Sequence, residues 1–558
     1  MNASLRAGAL AAVLFGGACA SFDRSPPPAS EAYASFLVGR VANWRADHQA
    51  ASDRYFEALL RVPGDAALFD GALTAALATG DADRARLLAR MAGRRGASLA
   101  RAHLVRAADA LAAGRFRQAE DALGRVEDAA AAELTARLML AWAQAGQGRL
   151  DGVMTELEPL SAMRPYGGLF AYQQAMGFDF AGRDAQALSA YSGANVSGLW
   201  LAPGIERHAD LLARTGAREQ AGALLAVSEN RAGSAALAHA LARLQAGQNP
   251  AAARLNPAHG AAIGLYGLAA ILLRESDPTN ALATLTLALM LDPGFDAARL
   301  AAAEAQSGIG HSAAARAALA AIGADSPEAG GARVMEAWLL LGEGRAEEAL
   351  TLARANAETG LDPRGRRALA DLYRNLERWG EAEPIYSELI AQHPRDWRLY
   401  FARGAAREQL DRWREAEADL RRALELSPEQ PEVMNYLGYS WVDRGERLDE
   451  GMALIQRAAE IRPLSGAIID SLGWAYFRRG DFARALEYLE RAVEMEPADA
   501  VLNDHLGDAF WRMGRRIEAR FQWRRALTLS PTQAMRAEIE AKLEHGLPAL
   551  AARRAGRR

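Results

Sequence analysis

Cys19 is the only thiol in the 558 residues, and it stands directly behind an uncharged apolar stretch, "AGALAAVLFGGA", that runs from Ala7 to Ala18. With no second cysteine, an internal disulfide and every thiolate metal spacing are excluded. The other groups that could act on a substrate do not gather. The nine histidines are scattered, and no HExxH pair places two of them on one helix face for zinc. There is no GxSxG elbow to present a nucleophile. A P-loop needs a lysine after its glycines, and the lone lysine, Lys542, cannot complete one. "GIG" at Gly308 and "GEG" at Gly342 begin like phosphate loops, but neither reaches a third glycine two residues on, and both fall where a turn between helices is expected. Glu347 and Glu348 read as a solvated helix start. The chain therefore reads as non-enzymatic, with no cofactor and no metal. A net charge of -4 gives no electrostatic case for nucleic acid.

Arg6 is the single positive charge ahead of the apolar stretch, which is too short to span a bilayer as a stable helix. Residues 1–18 read as a signal peptide. The segment resembles a bacterial lipoprotein signal, in which small residues precede a cysteine that is acylated and becomes the mature amino terminus. Gly17, Ala18 and Cys19 carry the resemblance, although Gly16 stands where a leucine is usual. "ACA" before Ser21 fits ordinary secretory cleavage equally well, whereas a thiol kept only at this place favours an anchor. The resemblance implies a lipid on Cys19. Because Ala20 is not the aspartate that marks inner-membrane retention, it also implies an outer-membrane lipoprotein facing the periplasm. Cleavage at Ala20 would instead leave a soluble periplasmic protein. Residues 19–31, with "SPPPAS", then form a short extended tether, and 546–558, ending "RRAGRR", a solvated basic tail.

What must position any binding group is a repeat. Pro394, Pro428, Pro463, Pro497 and Pro531 follow one another at 34, 35, 34 and 34 residues. In phase with them run Gly404, Gly438, Gly473 and Gly507, and Ala423, Ala458, Ala492 and Ala526. Small residues let two antiparallel helices approach closely, and the proline, lacking an amide donor, ends the second helix. The unit ending at Pro497 adds Tyr476, Gly480, Ala485 and Tyr488, and the next adds Phe510, Gly514 and Ala519, with Gln522 in place of the second aromatic. This pattern resembles the tetratricopeptide repeat, which implies an all-α, right-handed superhelical solenoid of antiparallel helix pairs. Tyr476 and Phe510 are assigned to its core. In the unit from Pro431 to Pro463 the turn "RGERLDEGM" is one residue longer and Gly451 replaces an alanine, which reads as a tolerated insertion. The same grammar stands at Gly39, Ala51, Tyr55, Ala58 and Pro63. In between it is carried by turns in which alanine follows glycine after five residues, at Gly80, Gly114, Gly182, Gly216 and Gly344. Residues 32–360 thus read as degenerate repeats and 361–545 as well-formed ones, about 14 or 15 helix pairs in all, each touching its neighbours.

In this family the first helices line the concave face, and the groove-facing side chains lie three before and one, four and five after the small position. That gives Asn435, Tyr439, Val442 and Asp443 from the first unit considered. The next two supply Asp470, Trp474, Phe477 and Arg478, then Asp504, Asp508, Trp511 and Arg512. Aromatic area mixed with charge suits a peptide or protein groove, although Trp474 and Trp511 fit contacts with a neighbouring repeat equally well. The Lys and Asn carboxylate clamp of chaperone-binding relatives is absent, since Asp470, Trp474, Asp504 and Asp508 hold those positions.

The carboxy-terminal run is also similar to the end of a group of large tetratricopeptide lipoproteins that includes an adaptor of a periplasmic carboxyl-terminal processing protease. "LGY" at Leu437, the "RLDEG" turn, "DSLGWAYFRRG" at Asp470, "HLGDAFW" at His505 and "WRRAL" at Trp523 carry this likeness. It implies a non-enzymatic protein-protein interaction scaffold at the outer membrane, an adaptor whose partner is such a protease or a peptidoglycan hydrolase. The alternative is an assembly factor for an envelope machine: a secretin, a pilus or a polysaccharide exporter.

Overall fold

At the turns the sequence marks, glycine adopts left-handed backbone, with φ +83° at Gly80, +71° at Gly114 and Gly182, +92° at Gly216 and +79° at Gly344. Residues with a Cβ lose roughly 1–2 kcal/mol in that region, which is why glycine recurs there. Ser276, Glu377 and Asp411 hold the same conformation at φ +62°, +57° and +58°. The computed structural model describes residues 28–548 apart from 95–98, 127–129, 163–166, 197–200, 233, 252–253 and 360–362. The expected signal peptide, Cys19, most of the tether and most of the basic tail lie outside the described residues.

The described chain is helical throughout, with no strand among the described residues, and divides into two compact units at Leu339 and Leu340. The first unit holds α1 (Pro28–Trp44), α2 (His48–Arg61), α3 (Ala66–Thr79), α4 (Ala82–Arg94), α5 (Ala100–Ala112) and α6 (Phe116–Leu123). It continues with α7 (Ala130–Gly146), α8 (Leu150–Ser161), α9 (Gly167–Phe180), α10 (Asp184–Val196), α11 (Ala202–Arg214), α12 (Arg218–Ala232) and α13 (Ala235–Gln245). Then follow α14 (Pro257–Arg274), α15 (Pro278–Leu291), α16 (Asp296–Gly308), α17 (Ser312–Ala320) and α18 (Ala329–Gly342), which ends across the division. The second unit comprises α19 (Ala346–Thr359), α20 (Pro363–Asn375), α21 (Trp379–Gln392), α22 (Trp397–Gln409), α23 (Trp413–Leu426) and α24 (Pro431–Arg444). It closes with α25 (Leu448–Ile461), α26 (Gly466–Arg479), α27 (Phe482–Met495), α28 (Ala500–Arg512), α29 (Arg516–Thr528) and α30 (Gln533–His545). In the first unit α1 pairs with α2, and so on in order to α11 with α12, then α14 with α15 and α16 with α17; in the second α20 pairs with α21, and so on to α28 with α29.

In the first unit the expectation of purely neighbouring contacts fails, and the reason is composition. α14 and α15, "PAHGAAIGLYGLAAILLR" and "PTNALATLTLALML", are apolar on every side, so each must be buried on every side. α14 packs on α7 and α9 as well as on α15, and α15 packs on α3 and α5. The hairpin thus fills the space that the first helices of four successive repeats face. Glycines set how closely it lies. A Cβ on Gly260 would stand 2.3 Å from Trp142, one on Gly267 2.5 Å from Leu169, and one on Gly264 3.0 Å from Gln173. Trp142 Nε1 donates to Gln173 Oε1 at 2.6 Å, so the indole is buried with its polar atom satisfied. The end of α3 is capped from far along the chain. Thr286 Oγ1 donates to the Leu77 carbonyl, which also accepts from Gly80 N–H, and Gln306 Nε2 to that of Ala78, both side-chain bonds at 2.7 Å, at a helix end whose last carbonyls lack intrahelical donors of the regular kind.

The second unit keeps the regular grammar. A Cβ on Gly404 would lie 3.1 Å from Leu420, on Gly473 2.7 Å from Leu489 and on Gly507 2.5 Å from Trp523. Ala423, Ala458, Ala492 and Ala526 have no exposure. Phe510 is buried as expected, whereas Tyr476 is half-buried and stacks on Tyr488 at 5.4 Å. Gly451 is no tolerated oddity: a Cβ there would meet the Gly438 carbonyl at 2.8 Å, and one on Gly438 the Gly451 carbonyl at 2.7 Å. The long turn, with Arg447 at φ +41° after Gly445 at +72°, brings the two backbones into direct contact.

Gly260→Ala should therefore lower the stability of the first unit by roughly 1–3 kcal/mol. Gly193→Ala in α10, with nothing within 4 Å of the added methyl, should leave it unchanged or gain up to about 1 kcal/mol. Thermal unfolding followed by circular dichroism compares the two; equal melting temperatures would mean that α14 is not held at Trp142.

Candidate functional site: the first-helix face of the second unit

α26 places Asp470, Trp474, Phe477 and Arg478 on one side by helical spacing, and α24 and α28 place their candidates in the same register. From α22 onward each first helix reaches the next through an acid. Glu408 of α22 accepts from Ser440 at 3.3 Å and from Arg444 at 3.4 Å. Asp443 of α24 accepts from Arg478 at 2.9 Å and from Trp474 Nε1 at 3.2 Å. Asp470 of α26 meets His505 Nδ1 of α28 at 2.9 Å. Asp504 and Asp508 of α28 accept from Lys542 of α30 at 2.7 and 3.0 Å.

These pairings sort the candidates. Trp474 is half-buried in a stack, 4.7 Å from Phe477 at an interplanar angle of 8° and 4.1 Å from His505 at 15°. Beside it Asp443 is exposed, and Arg478 and Tyr439 are half-buried. Burial first, then the Asp443 and Asp470 carboxylates, push the Tyr439 hydroxyl well above its ordinary range, so it stays a donor. Phe477 is largely buried and packs on Phe482. Val442 differs from expectation: it is 1% exposed and belongs to the core with Met452, Ile455 and Leu472. Its position faces the second helix of its own pair because the long turn draws α25 inward.

Around α28 the face is covered. Asp470, Asp504 and Asp508 are buried, and Asp508 also accepts from Trp523 Nε1 at 2.9 Å. Trp511 packs on Trp523 at 5.2 Å, beneath Gly546, whose added Cβ would come 1.9 Å from its ring, while Arg516 lies 3.6 Å over it. Arg512 is half-buried beside it. The correction to the sequence reading is physical: α30 supplies one more turn of the array, so these side chains meet it before they meet any ligand.

Sequence reasoning missed His505 and Lys542. Burial, the largest single influence, opposes charge on His505, but the Asp470, Asp504 and Asp508 carboxylates together outweigh it and raise the imidazole to about 9. Lys542, although buried, is held charged well above its usual range by Asp508 and Asp504. A compact ammonium fits between two carboxylates where a planar guanidinium would not. The chain's lone lysine was the available signal. On the described first helices of the second unit five buried polar atoms have no hydrogen-bond partner: Arg374 Nε, Asn435 Oδ1, Asn503 Oδ1, Asp504 Oδ1 and Arg512 Nε. An unmet buried group costs about 1–3 kcal/mol, which a bound ligand or water would relieve. Among the described residues, no three His, Cys, Asp or Glu are grouped to hold a metal.

The sequence matches the tetratricopeptide repeat family over residues 367–431 and 406–465, and a second form of the same repeat over 468–499. No curated protein matches the chain. Similar solved structures include a tetratricopeptide repeat protein from Parabacteroides merdae, 16% identical, covering 51% of this chain and 97% of its own at a TM-score of 0.35. The APC/C hetero-tetramer Cut9–Hcn1 is 15% identical, covers 94% of this chain and 98% of its own, and has a TM-score of 0.39. A MamA structure is 21% identical over 29% of this chain and 96% of its own, with a TM-score of 0.26.

His505 gives a pH test. Its folded value is about 9 against an ordinary 6.5, so its stabilisation is complete below pH 6.5 and is lost as pH rises through 9. The full effect is on the order of 3 kcal/mol. His505→Gln should weaken the second unit at neutral pH and flatten this loss, read as melting temperature on either side of that window. A variant with the same slope as the parent would remove the Asp470–His505 pair from the account.

Proposed function

We propose that this chain of tetratricopeptide repeats is a non-catalytic scaffold that binds a protein partner on the first-helix face of its second unit. In this reading it is exported and tethered by an acylated Cys19 to the periplasmic side of the outer membrane. There it acts as adaptor for a carboxyl-terminal processing protease or a peptidoglycan hydrolase. The carboxy-terminal likeness set out above supports the choice of partner, and the leader supports the location.

The observation that carries the binding reading is the surface around Trp474. A half-buried indole is held in place by stacking on two rings, an exposed Asp443–Arg478 pair lies at its edge, and Tyr439 beside it keeps its hydroxyl proton. Rigid aromatic area with orienting polar groups is how protein hot spots are built. The unmet Asn435 Oδ1 lies on the neighbouring first helix. The stretch covered by α30 lacks such reach, so binding is centred on α24 and α26.

The test is capture from a detergent-solubilised envelope extract by the immobilised chain from Ser21, with retained proteins identified by mass spectrometry. Trp474→Ala should weaken binding of the captured partner by more than about 2 kcal/mol with helicity preserved, whereas Trp511→Ala should lower stability and leave affinity nearly unchanged. Normal binding by the Trp474 variant would move the interface off this face. Retention of secretin or exporter subunits in place of a protease or hydrolase would replace the adaptor reading with that of an assembly factor.

A further inference from the structure

The first helix of a repeat array packs on one side only, and its outer side is ordinarily polar, since nothing else keeps the end of the stack soluble. α1 breaks that rule. Tyr33, Leu37, Val38, Val41 and Trp44 are exposed, Trp44 at 85%. Tyr33, Leu37, Val41 and Trp44 recur at helical spacing and form one stripe. The opposite side is spent on α2: a Cβ on Gly39 would touch the Tyr55 ring at 3.1 Å, and Phe36 packs on the same ring at 6.1 Å. An apolar cleft between Phe36, Val62 and Leu68 opens beside Tyr33.

Positive charge predominates on this face, although the exposed Asp65 lines the cleft, where its side chain accepts from the Leu68 N–H that it caps. Arg40 and Arg45 are exposed, and among the described residues neither has an ion-pair partner. The one carboxylate of α1, Glu31, is engaged by Arg61 of α2 at 2.9 Å. Aromatics towards both ends, aliphatics between them and arginines alongside are the composition of a helix that lies in a membrane interface. No described helix is long and apolar enough to cross a membrane.

We propose that α1 docks on a lipid surface with anionic headgroups. Its Tyr33–Trp44 stripe enters the boundary between headgroups and acyl chains, and Arg40 and Arg45 meet lipid phosphates. A second copy of the chain suits the face less well, because a two-fold contact places the same patch on both sides and gathers two arginines from each copy against one cleft carboxylate, Asp65, which already caps α3. Chain length adds a second argument, which rests on the acylation proposed above. From Cys19 to Pro28 the backbone reaches about 30 Å when fully extended, so an anchor there holds α1 at the bilayer.

The test uses the chain from Ser21, which keeps every described residue and lacks both the leader and Cys19. It is floated with vesicles rich in phosphatidylglycerol and, separately, with phosphatidylcholine vesicles. Preferential binding to the anionic vesicles is expected, with a loss of about tenfold or more in Leu37→Glu/Val41→Glu. Trp44→Ala should lose part of it, and Arg40→Glu and Arg45→Glu about fivefold each. All these side chains are exposed, so circular dichroism should not change. Equal binding by parent and Leu37→Glu/Val41→Glu, or none by the parent, overturns the proposal. So does a dimer in sedimentation velocity that Leu37→Glu/Val41→Glu dissolves, which would make a second copy the occupant. Incorporation of labelled palmitate by the full chain, compared with Cys19→Ser, separates the two readings: vesicle binding without labelling at Cys19 sinks the anchor alone, and labelling without vesicle binding sinks α1 docking alone.

Discussion

A helix with no polar side has no stable place on a protein surface, and α14 and α15 are two such helices in succession. Their burial decides how the first unit is built. Four first helices that would otherwise border open space close on the hairpin, three glycines of α14 remove the side chains that would hold it off, and carbonyls at the end of α3 take donors from α15 and α16. An array that ordinarily has one core along its length here gains a second, made from its own later residues. Those first helices are spent on internal packing.

In the second unit the governing contact is an acid on one first helix and its answer on the next. Glu408 with Ser440 and Arg444, Asp443 with Arg478, Asp470 with His505, and Asp504 and Asp508 with Lys542 form successive steps of one arrangement. Each step couples neighbours only, as repeat arrays require. The ladder is most open at Asp443, which is exposed, while Glu408 before it is half-buried and Asp470, Asp504 and Asp508 after it are buried. Buried pairs are costly to break singly, so the last repeats and α30 hold together as a block that supports the more accessible indole of Trp474.

The regular half was legible because its constraints are local. A turn that needs positive φ asks for glycine, a helix crossing asks for a small residue, and both recur at the repeat length, so Gly480, Gly514, Gly473 and Gly507 could be placed without coordinates. The hairpin of α14 and α15 was not legible as an interior element, since a helix apolar all round has no periodicity to show which side faces what, and its partners lie about one hundred to two hundred residues earlier. The candidate face was legible in position and not in state. Offsets from the small residue found Trp474 and Asp443. They could not say that α30 continues the register over Asp504, Asp508 and Trp511, or that the core claims Val442. Asp470 and His505 are 35 residues apart, one repeat and a step, a spacing that shows only once both are known to face the same side.

The buried hairpin also imposes an order of events on the chain. α3, α5, α7 and α9 all end at least 111 residues before Leu291, which completes the element that covers them, so a chain delivered amino terminus first, from the ribosome or through an export channel, presents them well before it. During that interval the early repeats can pair with their neighbours while still lacking their common centre, and their apolar inner sides stay open to any holding factor that meets them. The first unit is thus finished from the inside, by a segment that must enter a partly formed shell, so its maturation depends on the shell remaining open long enough to admit it.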